Sequence, residues 1–172
     1  TWFSSIQDAA EMAYAGDTIV VKEGCYREWV RPPRGGKSAD LPIRYEAHPG
    51  HRVVIKGSEV LSGWQDVSPL HWVCRVPEQP GISTLAFREK LGGDWWHGHK
   101  DHPNTRGMLF VENHRIREVQ DKTQASRLFE QGTDKAWWVE VADETVVFHL
   151  MLKEGKPADF LIEAAFRPAC FF

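Results

Sequence analysis

A mostly all-β fold is the expectation for this sequence of 172 residues, and three observations carry it. β-branched and aromatic residues come in brief runs between glycine turns, two of them within the fourteen residues from Ala15 to Glu28. Two pairs of such runs recur at one offset, since Ile19 to Ile43 (43 − 19) and Val30 to Val54 (54 − 30) both span 24 residues. A coil that winds on itself would give that spacing, although an α+β hairpin arrangement would show similar short strands. Eight Trp and nine Phe raise the aromatic content to 12%, and aromatic side chains fit pleated surfaces.

The exception to the β pattern comes first. Ser4 to Tyr14 places apolar residues at 6, 9, 10 and 13, one face of a short helix, with Ser4 or Ser5 to cap it and Gly16 to stop it. From Thr18 to Lys22 the period becomes that of a strand, Glu23-Gly24 turns the chain, and Tyr26 to Val30 forms a second strand. A loop containing Pro32-Pro33 and Gly35-Gly36 leads to two more strands, 42–47 and 52–57, split by His48-Pro49-Gly50. Past Gly63 the repeat is lost. His71–Val76, Met108–Asn113, Ala136–Val141 and Thr145–Leu150 read as strands with aromatic faces, the last two joined by the hairpin-length link Ala142-Asp143-Glu144. Antiparallel strands of this kind suggest a β-sandwich for the middle of the chain.

Charge and cysteine usage narrow the function classes. The formal net charge is −3 and no block of five or more like charges appears, so neither a nucleic-acid footprint nor a membrane-surface patch is expected, and the partner should be neutral. Cys25, Cys74 and Cys170 are odd in number and far apart, which argues against a disulfide framework and against a Cys-x-x-Cys metal site; buried apolar roles are expected for them. No apolar run reaches the ~18 residues of a spanning helix. The chain begins without Met and ends on Cys170-Phe171-Phe172, so it reads as cut at both ends. Free cysteines and the missing leader favour a cytoplasmic location.

Particular residues narrow the reading further. Ser5-Ile6-Gln7-Asp8-Ala9-Ala10, then Ala15 to Val21, then Gly24-x-Tyr26, resemble the opening segment of right-handed parallel β-helix proteins, many of which act on polysaccharides. Gly24–Val30, Val53–Glu59, Ser62-Gly63-Trp64, Gly93-Asp94-Trp95, Trp137–Val141 and Arg167–Phe171, in this order, resemble the N-terminal region of the β-xylosidases of glycoside hydrolase family 120. The resemblance runs through nearly the whole chain. It implies the start of a right-handed parallel β-helix with a capping helix in residues 1–62, an inserted antiparallel β-sandwich in 63–160, and a return to the β-helix in 161–172, with 161–166 as the returning strand. It also implies a neutral xylo-oligosaccharide substrate, no cofactor, and the remainder of the same polypeptide as a partner. The retaining enzymes' nucleophile Asp and acid/base Glu would then lie beyond Phe172, leaving no catalytic residue here.

The densest polar and aromatic stretch runs from Gly92 to His102. Trp95 offers a face on which a sugar ring can stack and Asp94 an acceptor for hydroxyls, and the resemblance makes both substrate-binding candidates. Trp95 can serve its own chain's pocket or, in a homo-oligomer, a neighbour's; Trp95 and Trp96 can equally plug a sheet edge. His97, His99 and His102 with Asp101 invite a zinc reading, but structural zinc sites rest on better separated ligand pairs, and a solvated loop is the expectation. Glycoside hydrolysis with retention needs two carboxyl groups about 5 to 5.5 Å apart. Glu28, Glu46, Glu59, Asp94, Glu112 and Glu140 are available, yet no spacing pairs any two, and Glu140 reads as a solvent-facing strand residue. The phosphate-loop, nucleophile-elbow and His-Glu-x-x-His motifs are missing. Two alternatives stand beside a glycosidase fragment: a carbohydrate-binding or interaction module without catalysis, and a β-helix protein related to polysaccharide lyases, for which Arg27, Arg31, Arg34 and Arg44 are clustered in sequence only.

Overall fold

In the computed structural model, residues 1–92 and 104–171 are described, and they form a mostly β chain in two compact units. Residues 1–58 with 167–171 make the first unit, and Glu59–Phe166 the second.

The first unit opens with α1 (Ile6–Met12). The Ser5 hydroxyl accepts from the Asp8 N–H at 3.0 Å, satisfying one of the amides a helix start leaves open. Two more are taken by the Glu28 carboxylate, which accepts from Ile6 N at 3.2 Å and Gln7 N at 2.9 Å. The Gln7 amide group accepts from Arg31 N and donates to Arg31 O, tying the helix to the segment after the second strand. Gly16, at φ +96°, turns the chain out of the helix.

Next come β1 (Thr18–Val21), β2 (Gly24–Arg27), β3 (Arg44–Ala47) and β4 (Val53–Lys56). They do not form hairpins. β1 pairs with β3 and β2 with β4, both parallel, in two separate two-stranded sheets. The register differs from the equal offset expected: Thr18 pairs with Arg44, 26 positions on, and Gly24 with Val53, 29 positions on. The corners set that difference, because the His48–Arg52 turn is longer than the one at Lys22-Glu23. At that longer corner the His51 imidazole accepts from Glu23 N and Gly50 sits at φ +80°. Ile6, Ala10, Val21 and Val30 form the apolar centre, with Ile19, Tyr26, Tyr45, Val53 and Ile55 packed around it. Cys25 points outward and is exposed, Cys170 is half-buried and Cys74 alone is buried, so the expectation of three buried thiols is corrected: strand alternation puts Tyr26, not Cys25, on the inner side.

In the second unit β6 (Gln65–Ser68), β7 (His71–Pro77), β10 (Arg117–Glu118), β11 (Lys135–Ala142) and β12 (Thr145–Leu152) join in the order β10-β11-β12-β7-β6. A second sheet runs β5-β13-β8-β9, from β5 (Ser58–Val60), β8 (Leu109–Val111), β9 (His114–Arg115) and β13 (Ile162–Ala165). Between them lie Cys74, Phe148, Leu150 and Trp137 from one sheet and Leu109, Val111, Ile162 and Ala164 from the other. Phe87, from the one-turn α2 (Leu85–Arg88), fills the middle of this core at 1% exposure, with Phe148, Phe166 and Trp137 around its ring at centroid distances of 4.7, 5.4 and 6.1 Å. The helix α3 (Lys122–Glu130) covers the other face of the larger sheet, packing Ala125, Leu128 and Phe129 against Ala136, Trp138 and Met151. A one-turn 3₁₀ segment, Pro157–Asp159, precedes β13.

The strand expected to return to the first coils behaves differently. β13 pairs antiparallel with β8 inside the second unit, because Ile162 and Ala164 are apolar and face its core. The residues that rejoin the first unit are 167–171: Arg167 N donates to Gly57 O at 3.0 Å, Val30 N to Cys170 O at 2.9 Å, and Phe171 meets Tyr45 edge to face at 4.9 Å.

Candidate functional site

The residues on either side of the segment singled out from the sequence pair with each other in a short antiparallel ladder. Leu91 N donates to Asn104 O at 2.7 Å and Arg106 N to Glu89 O at 3.0 Å, and Lys90 bridges Thr105 between them. Glu89 and Arg106 also form an ion pair. Asp94 and Trp95, with His97, His99, Asp101 and His102, lie outside the described residues.

A half-buried carboxylate anchors the ladder. Glu118 accepts from Thr105 N with both oxygens, at 2.9 and 3.1 Å, and Thr105 is 2% exposed. Burial pushes the Glu118 carboxyl above the usual range, while the bonds from Thr105 pull it back down. Gln120 reaches the Asn104 side chain at 3.2 Å. Beneath the ladder Gly107 leaves room for Phe87, whose ring carbons would stand 2.2 and 2.3 Å from any Cβ placed there. Residues 89–91 and 104–107 therefore form a stem continuous with the aromatic core of the second unit.

Of the other carboxylates weighed from the sequence, Glu28 and Glu112 serve local structure. Glu28 caps α1. Glu112 and Asn113, at φ +52° and +62°, form the two-residue turn between β8 and β9, and the Glu112 side chain accepts from Leu161 N at 2.6 Å. Glu140 is exposed, as its place on the strand implied, but its Oε2 stands 3.5 Å from His149 Nε2. Glu46 lies on β3, exposed. Among the described residues no three His, Cys, Asp or Glu side chains gather as a metal site.

The first unit also carries a groove that the sequence reading missed. It measures about 430 Å³ and is lined by Trp2, Phe3, Ile19, Val21, Lys22 and Tyr26 among others. Trp2 is 81% exposed, and the Lys22 ammonium lies 4.3 Å from its ring centroid. The only hint in the sequence was an aromatic pair just ahead of a helix cap, which no periodicity marks.

Short parallel strand pairs with glycine corners in one unit, and two sheets about one aromatic core in the other, define the class: a mostly β, non-barrel chain built from two units. The sequence matches no protein-family model and no curated protein. Its structure is similar to that of XylC solved in complex with xylose, with a TM-score of 0.86 and 29% sequence identity over 98% of this chain. The chain spans 29% of the length of XylC.

Proposed function

We propose that this chain is the N-terminal region of a longer retaining β-xylosidase-like glycoside hydrolase, akin to family 120. The observation that carries the reading is the similarity to XylC, a xylose-bound structure, at 29% identity across 98% of this chain. The β1–β3 and β2–β4 pairs, parallel and cornered by glycines, support the first coils of a right-handed β-helix, and Glu59–Phe166 supports a β-sandwich inserted into it. On this reading the two carboxyl groups that break the glycosidic bond belong to residues beyond this chain, consistent with its spanning 29% of XylC and with Glu28 and Glu112 being occupied by backbone amides. Asp94 and Trp95 would contact a xylo-oligosaccharide, Trp95 by stacking and Asp94 by accepting hydroxyl hydrogen bonds.

The test is release of a chromogenic aglycone from an aryl β-xyloside by this chain and by the longer gene product that contains it. Turnover confined to the longer product, with KM raised several-fold by Trp95→Ala, supports the proposal. Turnover by the 172 residues alone overturns it.

A second reading, a carbohydrate-binding module, draws on the exposed Trp2 in its groove. Titration of the isolated chain with xylo-oligosaccharides, followed by tryptophan fluorescence and repeated with Trp2→Ala, separates the two. The enzyme-fragment reading expects no binding that depends on Trp2.

A further inference from the structure

On the face of the larger sheet that α3 covers, two histidines meet across neighbouring strands. His71 Nε2 on β7 and His149 Nδ1 on β12 stand 3.0 Å apart. Trp138, directly opposite His149 on β11, stacks on its ring at 4.7 Å and 14° and lies 5.0 Å from the ring of His71. Both imidazoles are withdrawn from water, His71 at 6% exposure and the His149 side chain at 12%. Their outer nitrogens, His71 Nδ1 and His149 Nε2, have no hydrogen-bond partner among the described residues, and only the Glu140 carboxylate approaches the latter. The remaining charges near the pair are Asp66 from β6, Arg75 from β7 and Lys122 from the first turn of α3, whose ammonium donates to Ser68 Oγ at 2.8 Å.

The chemistry of a 3.0 Å contact between two imidazole nitrogens is restrictive, because one must carry hydrogen and the other a lone pair. A neutral pair satisfies this. So does a pair holding one extra proton, since the imidazolium can donate inward while Glu140 faces the other side of His149. A pair with two extra protons presents two N–H groups to each other and cannot keep the bond. We propose that His71, His149 and Glu140 form a proton-operated latch that keeps α3 seated on the sheet through Trp138, and that double protonation releases it. Trp138 is the coupling element, since it stacks on His149 and packs against the apolar side chains of α3.

The direction of the pH dependence follows from the setting. Burial is the largest influence on both imidazoles and holds each below the ordinary histidine value; Glu140 opposes it on both, while Lys122 reinforces it on His71 and Arg75 on His149. The closed state therefore binds fewer protons than the open one as pH falls below about 6.5, and the closed state loses ground there by up to tenfold per pH unit for each histidine.

The experiment is amide hydrogen exchange of the 172-residue chain from pH 7.5 to 5, corrected for intrinsic rates. Protection of the α3 amides should fall by at least tenfold below pH 6 relative to those of β11 and β12. His149→Phe, which keeps a ring on Trp138, should flatten that fall. Glu140→Gln, an exposed substitution that spares the fold, should deepen it, because the single-proton state loses its counter-charge. Identical profiles for α3 and the central strands, or a wild-type profile in Glu140→Gln, would overturn the latch.

Discussion

The packing of Phe87 against Gly107 gives the sharpest prediction about the stem formed by residues 89–91 and 104–107. Gly107 has no positive φ, so backbone strain plays no part in its being glycine; a Cβ there would stand 2.2 Å from Phe87 Cδ1, inside any tolerable contact. The ring has nowhere to move, because Phe148 and Phe166 flank it at 4.7 and 5.4 Å. Gly107→Ala should accordingly cost about 1–3 kcal/mol as an overpacked site. Phe87→Ala, which empties a site 1% exposed, should cost about 3–5 kcal/mol, and Phe87→Leu less. Combined, the two changes relieve one another, since the new methyl enters the space the ring has left. The double variant should be more stable than the sum of the single effects by about 1–3 kcal/mol. Urea unfolding followed by tryptophan fluorescence reads this cycle, with the Phe87→Leu background as a second arm if the alanine variant unfolds. Additivity within about 0.5 kcal/mol in both backgrounds would refute the contact as the reason for glycine at 107.

Other expectations concern single groups. Glu28→Ala removes the acceptor of two α1 amides and should cost about 1–2 kcal/mol, with loss of exchange protection at Ile6 and Gln7 as the local readout. Glu118 carries a carboxyl raised by burial, so the folded state binds its proton more readily than the unfolded one, and stability from this group declines as pH rises through the folded value. Glu118→Gln should abolish that decline, a change opposite in sign to the histidine effect and visible in the pH dependence of the urea midpoint. The Cys74 thiol is buried and pushed up to about 11, whereas Cys25 is exposed; a disulfide reagent at pH 8 should modify Cys25 quickly and Cys74 only at the rate of unfolding.

What the sequence revealed and what it hid follow from the range of each signal. Helix α1 was legible because its stripe, cap and terminating glycine fall within a dozen residues, and the β11–β12 hairpin because long alternating runs flank a short link. Parallel pairing was anticipated, but its register was not, since corner length shifts partners without altering local pattern. Helix α3 was passed over amid the surrounding strands, although Asp121 as cap, Ala125, Leu128 and Phe129 at helical spacing and Gly132 after the end were all present. The roles of Glu28, Glu112 and Glu118 could not be read in advance. Each carboxylate serves an amide 13 to 49 positions away, a distance over which spacing carries no information.

The proposed function places this chain in a longer retaining glycosidase whose reacting carboxylates lie outside residues 1–172. The most direct measurement is to inactivate the longer gene product with a 2-deoxy-2-fluoro xylosyl donor, which arrests the covalent intermediate, and to map the labelled peptide by mass spectrometry. A fluoroxylosyl label on a carboxylate outside these 172 residues is the predicted result. A label on Glu28, Asp94, Glu112 or any other carboxylate of this chain would contradict the account.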